Sequence, residues 1–369
     1  MNSDKVVCPV DHVKQSPGFD ANDMLPLTDF IGENRSLPDA DLPLPVGTVT
    51  HDGRLDLCKQ QLGVEGMQHI AAGMKQNKVI RHILLGTNAF GNEGAKAVAE
   101  MIRENHHLET LYLGCNYIEA EGCKAICEAL EDNRSVKSLW FKRNPIGAES
   151  VVSLIALLRK NDNIRTLDLV NTCLGNGFIE LFYYLLNNRT IERLYLSGNY
   201  LTPDMIKLFD LLLKHNRTLK ALFLSVNNIG NEGVANMVNG LRQNNTLEEL
   251  SLASCGIGDE GMLQLFDALQ HNHSLKILDL GYAPSTKVLG SAANYISSAS
   301  EKELIHYIMK AEQLELLNLT RTGISESAKA ILINDWEPGG NRVLVVDGYQ
   351  SRRRHIPHPD SKTIKSVYR

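Results

Sequence analysis

The chain has 369 residues, of which 43% are hydrophobic and 22% are charged, and its formal net charge is −5. This composition is ordinary for a folded protein, and the mild negative charge gives no electrostatic reason to expect a nucleic-acid partner. The first residues lack the apolar core of a secretory leader, and no apolar run reaches the length of about 18 residues that spans a bilayer. We therefore expect a cytoplasmic protein without a membrane span.

Residues 1–50 contain half of the twelve prolines and show no repeating pattern. They predict an irregular lead-in that ends in an N-terminal cap. Within it, Cys8-Pro9 resembles a short haem-regulatory motif in which the thiolate binds iron, but so short a match arises easily by chance. A haem role stays open, and we predict no cofactor. The seven cysteines form no Cys-x-x-Cys pair, which favours reduced thiols.

From residue 51 to about 347 the pattern Leu-x-Leu returns at a fixed interval. Its first apolar residues are separated by 28 residues, except for one step of 27 and a last step of 39; they are Leu55, Ile83, Leu111, Leu139, Leu167, Leu194, Leu222, Leu250, Leu278 and Leu317. A period between 20 and 50 residues is the signature of a solenoid. Such a protein presents a long surface suited to a large partner.

Each repeat predicts a strand, a turn and a helix. In the unit 109–130, Leu111 and Leu113 alternate with polar or aromatic neighbours, as in a strand with one buried face. Ala125, Ile126 and Leu130 then follow at helical spacing. The turn between them carries an amide that can supply a donor and an acceptor to buried backbone groups. This predicted turn ladder comprises Asn88, Asn116, Asn144, Asn199 and Asn227, with Thr172 and Cys255 as partial substitutes.

The segments LETLYLGCNYIEAEG, LKALFLSVNNIGNEG and LEELSLASCGIGDEG resemble the leucine-rich repeats of the ribonuclease-inhibitor-like class. The resemblance covers about residues 53–335. It implies an α/β horseshoe of about ten repeats, with a parallel sheet on the concave face and α-helices on the convex face. The packing distances agree, because paired strands lie ~4.8 Å apart whereas packed helices need ~8–10 Å.

The last interval is longer than the others and the chain then loses the repeat. The excess predicts an insertion at about 281–313, in which the turn asparagine is lost at Ala283. Such an insertion is either a binding loop or a tolerated bulge. Val343–Val346 predicts a last strand. Residues 348–369 form a basic tail whose run Arg352, Arg353 and Arg354 is either solvated or attracts an acidic partner.

The residue between the two core leucines of each strand points away from the helices. Four of five consecutive positions of this kind are aromatic, although aromatic residues make up only 6% of the chain. Tryptophan, tyrosine and arginine dominate binding hot spots. We therefore predict a partner-binding patch on the concave face, and the alternative is that these rings only pack across neighbouring strands. The predicted patch consists of Tyr112, Trp140, Lys142, Arg143, Asp168, Tyr195 and Phe223.

The leading hypothesis is a monomeric, non-enzymatic scaffold that binds a protein or peptide. The sequence shows no catalytic constellation and no set of metal ligands with convincing spacing. One alternative is a regulator of a small GTPase similar to Ran GTPase-activating proteins, and another is a bacterial effector that acts in a host cell. Four sequon-like triplets, at Asn188, Asn216, Asn244 and Asn272, are interpreted as turns in which asparagine adopts a left-handed backbone conformation.

Overall fold

The computed structural model describes residues 20–336, 342–351 and 355–360. The chain divides into two compact units, which are Met1–Leu181 together with Pro357–Arg369, and Phe182–Ile356. Cys8-Pro9 and the run Arg352–Arg354 lie outside the described residues. The two units are described in turn.

In the first unit, seven described strands form a sheet in chain order. They are β1 (Leu42–Pro43), β2 (Thr48–Val49), β3 (Arg54–Asp56), β4 (His82–Leu84), β5 (Thr110–Tyr112), β6 (Ser138–Trp140) and β7 (Thr166–Asp168). The first three pair antiparallel, and β3 to β7 pair parallel. The helices are α1 (Ala21–Gly32), α2 (Gly63–Met74), α3 (Gly91–Glu104), α4 (Ala120–Leu130), α5 (Ser150–Lys160) and the start of α6 (Gly177–Leu185).

The second unit repeats this arrangement. Its described strands are β8 (Arg193–Tyr195), β9 (Ala221–Phe223), β10 (Glu249–Ser251), β11 (Ile277–Asp279), β12 (Leu316–Asn318), β13 (Val343–Val346) and β14 (Tyr349–Gln350). Only the last pair, β13 with β14, is antiparallel. The helices are α7 (Pro203–His215), α8 (Gly230–Gln243), α9 (Asp259–Leu269), α10 (Glu301–Lys310) and α11 (Glu326–Trp336). The predicted strand Val343–Val346 is confirmed.

The period of the sequence equals the spacing between residues that pair on neighbouring strands of the sheet. Every parallel pair from β3 to β7 joins residues 28 positions apart, as Leu111 pairs with Leu139. The core leucines of these strands are buried. Each helix that follows buries one of its own faces, which carries apolar residues at helical spacing. The predicted α/β repeat of strand, turn and helix is therefore present in both units.

The predicted turn ladder forms hydrogen bonds between consecutive repeats. The Asn144 Nδ2 donates to the carbonyls of Leu113 and Phe141 at 2.8 Å each, and its Oδ1 accepts from the amides of Asn116 and Ile118. Asn88, Asn116, Asn199 and Asn227 occupy the same position in their repeats. The side chains of Asn88, Asn116, Asn144 and Asn227 thus tie a buried turn to the repeat before it.

A second asparagine ladder runs along the helix ends, and the sequence interpretation missed it. Asn216 donates to the carbonyls of Leu185 and Asn188, and its Oδ1 accepts from the amides of Thr218 and Leu219. Its backbone is extended, with φ −76° and ψ 131°. The left-handed explanation of the sequon-like triplets is wrong, because none of their asparagines has positive φ. Hydrogen bonding explains why asparagine recurs at this position of the repeat. The same position is occupied by Asn77, Asn105, Asn133 and Asn161.

Two predictions about irregular segments need correction. The described part of the 1–50 lead-in contains α1, which is capped by Asp20, and the hairpin of β1 and β2 that pairs with β3. The turn asparagine is not lost after β11, because Asn294 donates to the carbonyls of Leu252 and Leu280. The extra residues therefore lie between Leu280 and Asn294, within the turn, and the repeat resumes with α10.

Close approach of neighbouring helices depends on a glycine in α8. A Cβ at Gly240 would lie 2.6 Å from the carbonyl oxygen of Asp210 in α7. We expect Gly240→Ala to lower the free energy of unfolding by about 1–3 kcal/mol, since the helices must move apart. Urea unfolding would measure this, with Gly32→Ala as the control, because no atom lies within 4 Å of a Cβ at Gly32. Equal stability of the two variants would contradict the expectation.

Candidate functional site

The candidate residues lie on the face of each sheet that points away from the helices, which we call the outer sheet face. The structure places five of them in the first unit: Tyr112, Trp140, Lys142, Arg143 and Asp168. This group is called the first patch. The other two, Tyr195 and Phe223, lie in the second unit with Arg193 and Glu249, and this group is called the second patch.

In the first patch, three neighbouring strands align the candidate side chains. Tyr112 pairs with Trp140, and Trp140 pairs with Asp168. The ring centroids of Tyr112 and Trp140 are 6.3 Å apart and the planes are tilted by 54°. The tyrosine ring has room because a glycine follows both its own strand and the strand before it: a Cβ at Gly114 or Gly86 would come within 2.7 Å of ring or hydroxyl atoms. Glycine at this position is the sequence signal for the ring's placement.

The first patch also contains a buried carboxyl group. Asp168 is 1% exposed, and the Val170 amide donates to its Oδ1 at 2.8 Å. Burial raises the pKa of Asp168 to about 6, against the opposing effects of Lys142, this hydrogen bond and Arg143. Burial likewise lowers the pKa of Lys142, against the attraction of Asp168. Asp168 is thus held in a poorly solvated environment, where the attraction of the half-buried Lys142 does not outweigh the effect of burial.

The first patch is covered, which differs from the open surface expected for it. Tyr112 is 6% exposed, Trp140 5%, and Arg143 3%. Arg143 has positive φ, at 56°, next to the turn asparagine of its repeat. The expected alignment of Tyr112 and Trp140 is present, but the expected exposure of these side chains is wrong. Any role of these residues in binding requires that they first become exposed.

The second patch is half-exposed and holds an arginine between rings and a carboxylate. The rings of Tyr195 and Phe223 stack with centroids 4.0 Å apart and planes 3° apart. The Arg193 guanidinium carbon lies 5.3 Å from the Phe223 centroid, and its Nη2 donates to Glu249 Oε2 at 2.9 Å. Glu249 was missed by the sequence interpretation. The sequence signal that could have indicated Glu249 is its charge, because Arg193 and Glu249 are oppositely charged and occupy the same strand position two repeats apart.

The second patch can bind a partner but shows no reactive arrangement. Its cation is paired with Glu249, so its surface is mainly aromatic, and stacked rings offer a large apolar area. In residues 20–336, 342–351 and 355–360, no three histidine, cysteine or acidic side chains cluster as metal ligands do. No helix in these ranges is long and apolar enough to cross a membrane.

The family model of leucine-rich repeats matches residues 104–127, 215–238 and 243–266. These segments are leucine-rich repeats, and the strand, turn and helix units of the chain have the leucine-rich-repeat fold. The matched segments run from helix to helix across a strand and turn, in both units. The finer ribonuclease-inhibitor-like class stays a prediction. No curated protein matches the sequence of this leucine-rich-repeat chain significantly.

Several solved structures resemble the leucine-rich-repeat chain. Actin-binding site 2 of leiomodin-1 is 18% identical, with a TM-score of 0.37, over 45% of this chain and 88% of that one. The tropomodulin C-terminal domain of Caenorhabditis elegans is 14% identical, with a TM-score of 0.36, over 45% and 93%. Rad7 in complex with Elc1, from yeast, is 14% identical, with a TM-score of 0.44, over 90% and 89%. Likeness at these scores says nothing about the partner of this chain.

Proposed function

We propose that this leucine-rich-repeat protein is a monomeric, non-enzymatic, cytoplasmic scaffold that binds another protein or a peptide on its outer sheet face. The second patch, in the second unit, is the accessible candidate site. Repeat proteins of this kind present extended surfaces suited to macromolecular partners. The observation that carries the proposal is the half-exposed stack of Tyr195 and Phe223 beside Arg193.

The geometry of the second patch favours an apolar contact of defined orientation. The stacked rings present a broad apolar surface at little entropic cost, because each has only two side-chain torsions. Arg193 is 7% exposed and its bonds to Glu249 and the Tyr195 hydroxyl fix its position. A partner that covers the rings would further desolvate this ion pair. A partner side chain that is aromatic or aliphatic therefore suits the patch better than a charged one.

Truncation of the second patch is expected to abolish most of the affinity. Proteins captured by the intact chain would be identified by mass spectrometry, and the Kd of each purified candidate measured by calorimetry. Tyr195→Ala or Phe223→Ala should weaken the true partner by about 30-fold, because hot-spot truncations cost about 2 kcal/mol or more. Circular dichroism would establish that each variant is folded.

Tyr183→Ala is the matched control for this experiment. Tyr183 lies on α6 in the same unit and is 57% exposed, but it is not on the outer sheet face. The substitution Tyr183→Ala should therefore leave the Kd of the partner unchanged. A partner that binds all three variants as tightly as the intact chain would contradict the proposed site.

A further inference from the structure

The described C-terminal segment contacts the outer sheet face of the first unit. Residues from Pro357 onward belong to that unit, although the preceding residues belong to the second. The Thr166 hydroxyl on β7 donates a hydrogen bond to the Asp360 carboxylate, across 194 residues of sequence. The negative charge of Asp360 also acts on His82 of β4, whose Nδ1 lies 2.9 Å from the Thr110 hydroxyl.

Asp360 binds Thr166, the last member of a row of hydroxyl groups along the edge of the first patch. Thr110, Ser138 and Thr166 are in register on β5, β6 and β7. All three are buried, as few hydroxyl side chains on an open sheet face would be. A carboxylate is a strong acceptor for such hydroxyl donors. The row therefore offers a site for an acidic side chain, and Asp360 uses it.

The burial pattern indicates a cover over the whole face and not a single contact. In the first unit the last residues of β4 to β7, which are Leu84, Tyr112, Trp140 and Asp168, are at most 6% exposed. In the second unit the equivalent residues Tyr195, Phe223, Asp279 and Asn318 are half-buried, and only Ser251 is buried. Packing across neighbouring strands is common to both units, so it does not explain the difference.

We propose that the segment 357–360 is an intramolecular ligand of the first patch, anchored by Asp360 on Thr166, and that a partner of the outer sheet face must displace it. Pro357 and Pro359 restrict the backbone of this segment, which lowers the entropy cost of docking. A partner cannot bind while the segment occupies the face. The apparent affinity for a partner therefore falls in proportion to the fraction of molecules whose face is free. This second part, the competition, rests on the proposed function.

Trp140 offers a direct measure of the cover. The chain has two tryptophans, Trp140 and Trp336, so incorporation of 5-fluorotryptophan gives two fluorine NMR signals that Trp140→Phe assigns. The shift difference between H2O and D2O reports the exposure of each ring to solvent. We expect a small difference for Trp140 in the intact chain, a several-fold larger one in Asp360→Lys and in Thr166→Val, and no change for Trp336.

Asp347→Lys is the matched control, because this aspartate lies outside the first unit and accepts from the Arg321 amide. It should leave the Trp140 signal unchanged. If the Trp140 signal is the same in Asp360→Lys, Thr166→Val and the intact chain, the proposed occupancy is wrong. This comparison needs no partner, so it decides the occupancy even if the scaffold function is wrong.

Competition is tested with the partner that the second-patch variants identify. Asp360→Lys should bind it at least tenfold more tightly than the intact chain, and Asp347→Lys should match the intact chain. An unchanged Kd in Asp360→Lys, in a variant whose Trp140 has become exposed, would overturn the competition.

Discussion

Replacement of Asn227 with alanine is expected to lower the free energy of unfolding by about 4 kcal/mol. The buried amide donates to the carbonyls of Leu196 and Leu224, and its Oδ1 accepts from the amides of Asn199 and Leu201. In the alanine variant all four backbone groups lose this partner, although the turn is buried. Each lost hydrogen bond costs about 1 kcal/mol. Urea unfolding followed by far-ultraviolet circular dichroism would measure the loss.

The next residue provides a matched control for this measurement. Asn228 is exposed, whereas Asn227 is 1% exposed, so Asn228→Ala should change the free energy of unfolding by no more than about 0.5 kcal/mol. Asn227→Thr should fall between the two, because a hydroxyl replaces only part of the amide, as Thr172 does by donating to the Leu169 carbonyl. A loss below 1 kcal/mol in Asn227→Ala would show that the ladder is not a major source of stability.

The second large effect is a pH dependence from Asp168. Its pKa is about 6 in the folded protein, against an ordinary value of 3.8, so between these pH values the folded chain holds a proton that the unfolded chain has released. Stability from this residue is therefore present below pH 4 and is lost as the pH rises through 6. The full shift corresponds to about 3 kcal/mol.

Asp168→Asn should remove this dependence, because the amide keeps the acceptor for the Val170 amide but does not titrate. The comparison is the free energy of unfolding of both chains at pH 4, 5, 6 and 7. The intact chain should lose up to about 3 kcal/mol relative to the variant over this range. Burial also raises the pKa of Asp279, but this group is present in both chains and cancels. Parallel curves would contradict the assignment.

The repeating parts of the fold could be predicted from the sequence. Leu111 and Leu139 carry the strand register because side chains alternate across a sheet, so the period of 28 residues becomes the pairing. The turn role of Asn144 follows from the same periodicity. Asn294 could not be placed, because the extra residues interrupt the period inside the turn, where the sequence gives no hydrophobic signal for the register.

The state of the candidate site was less predictable. The alignment of Tyr112 with Trp140 follows from the register, but the cover does not, because Thr166 and Asp360 are 194 residues apart and share no pattern. The helix α1 was also missed, since Pro26 lies inside it and suggests irregular structure. Nonperiodic contacts of this kind depend on tertiary packing, which local sequence does not encode.

The second ladder bears on how this protein can be produced. Asn216, Asn244 and Asn272 each begin an Asn-x-Thr or Asn-x-Ser triplet, and each uses its side-chain nitrogen to hold a backbone carbonyl of the preceding repeat. An oligosaccharide attached to that nitrogen during synthesis would remove the donor and place a bulky sugar at a buried position. Expression through a eukaryotic secretory route would therefore yield misfolded chains wherever these sites are glycosylated, whereas bacterial expression would avoid the damage.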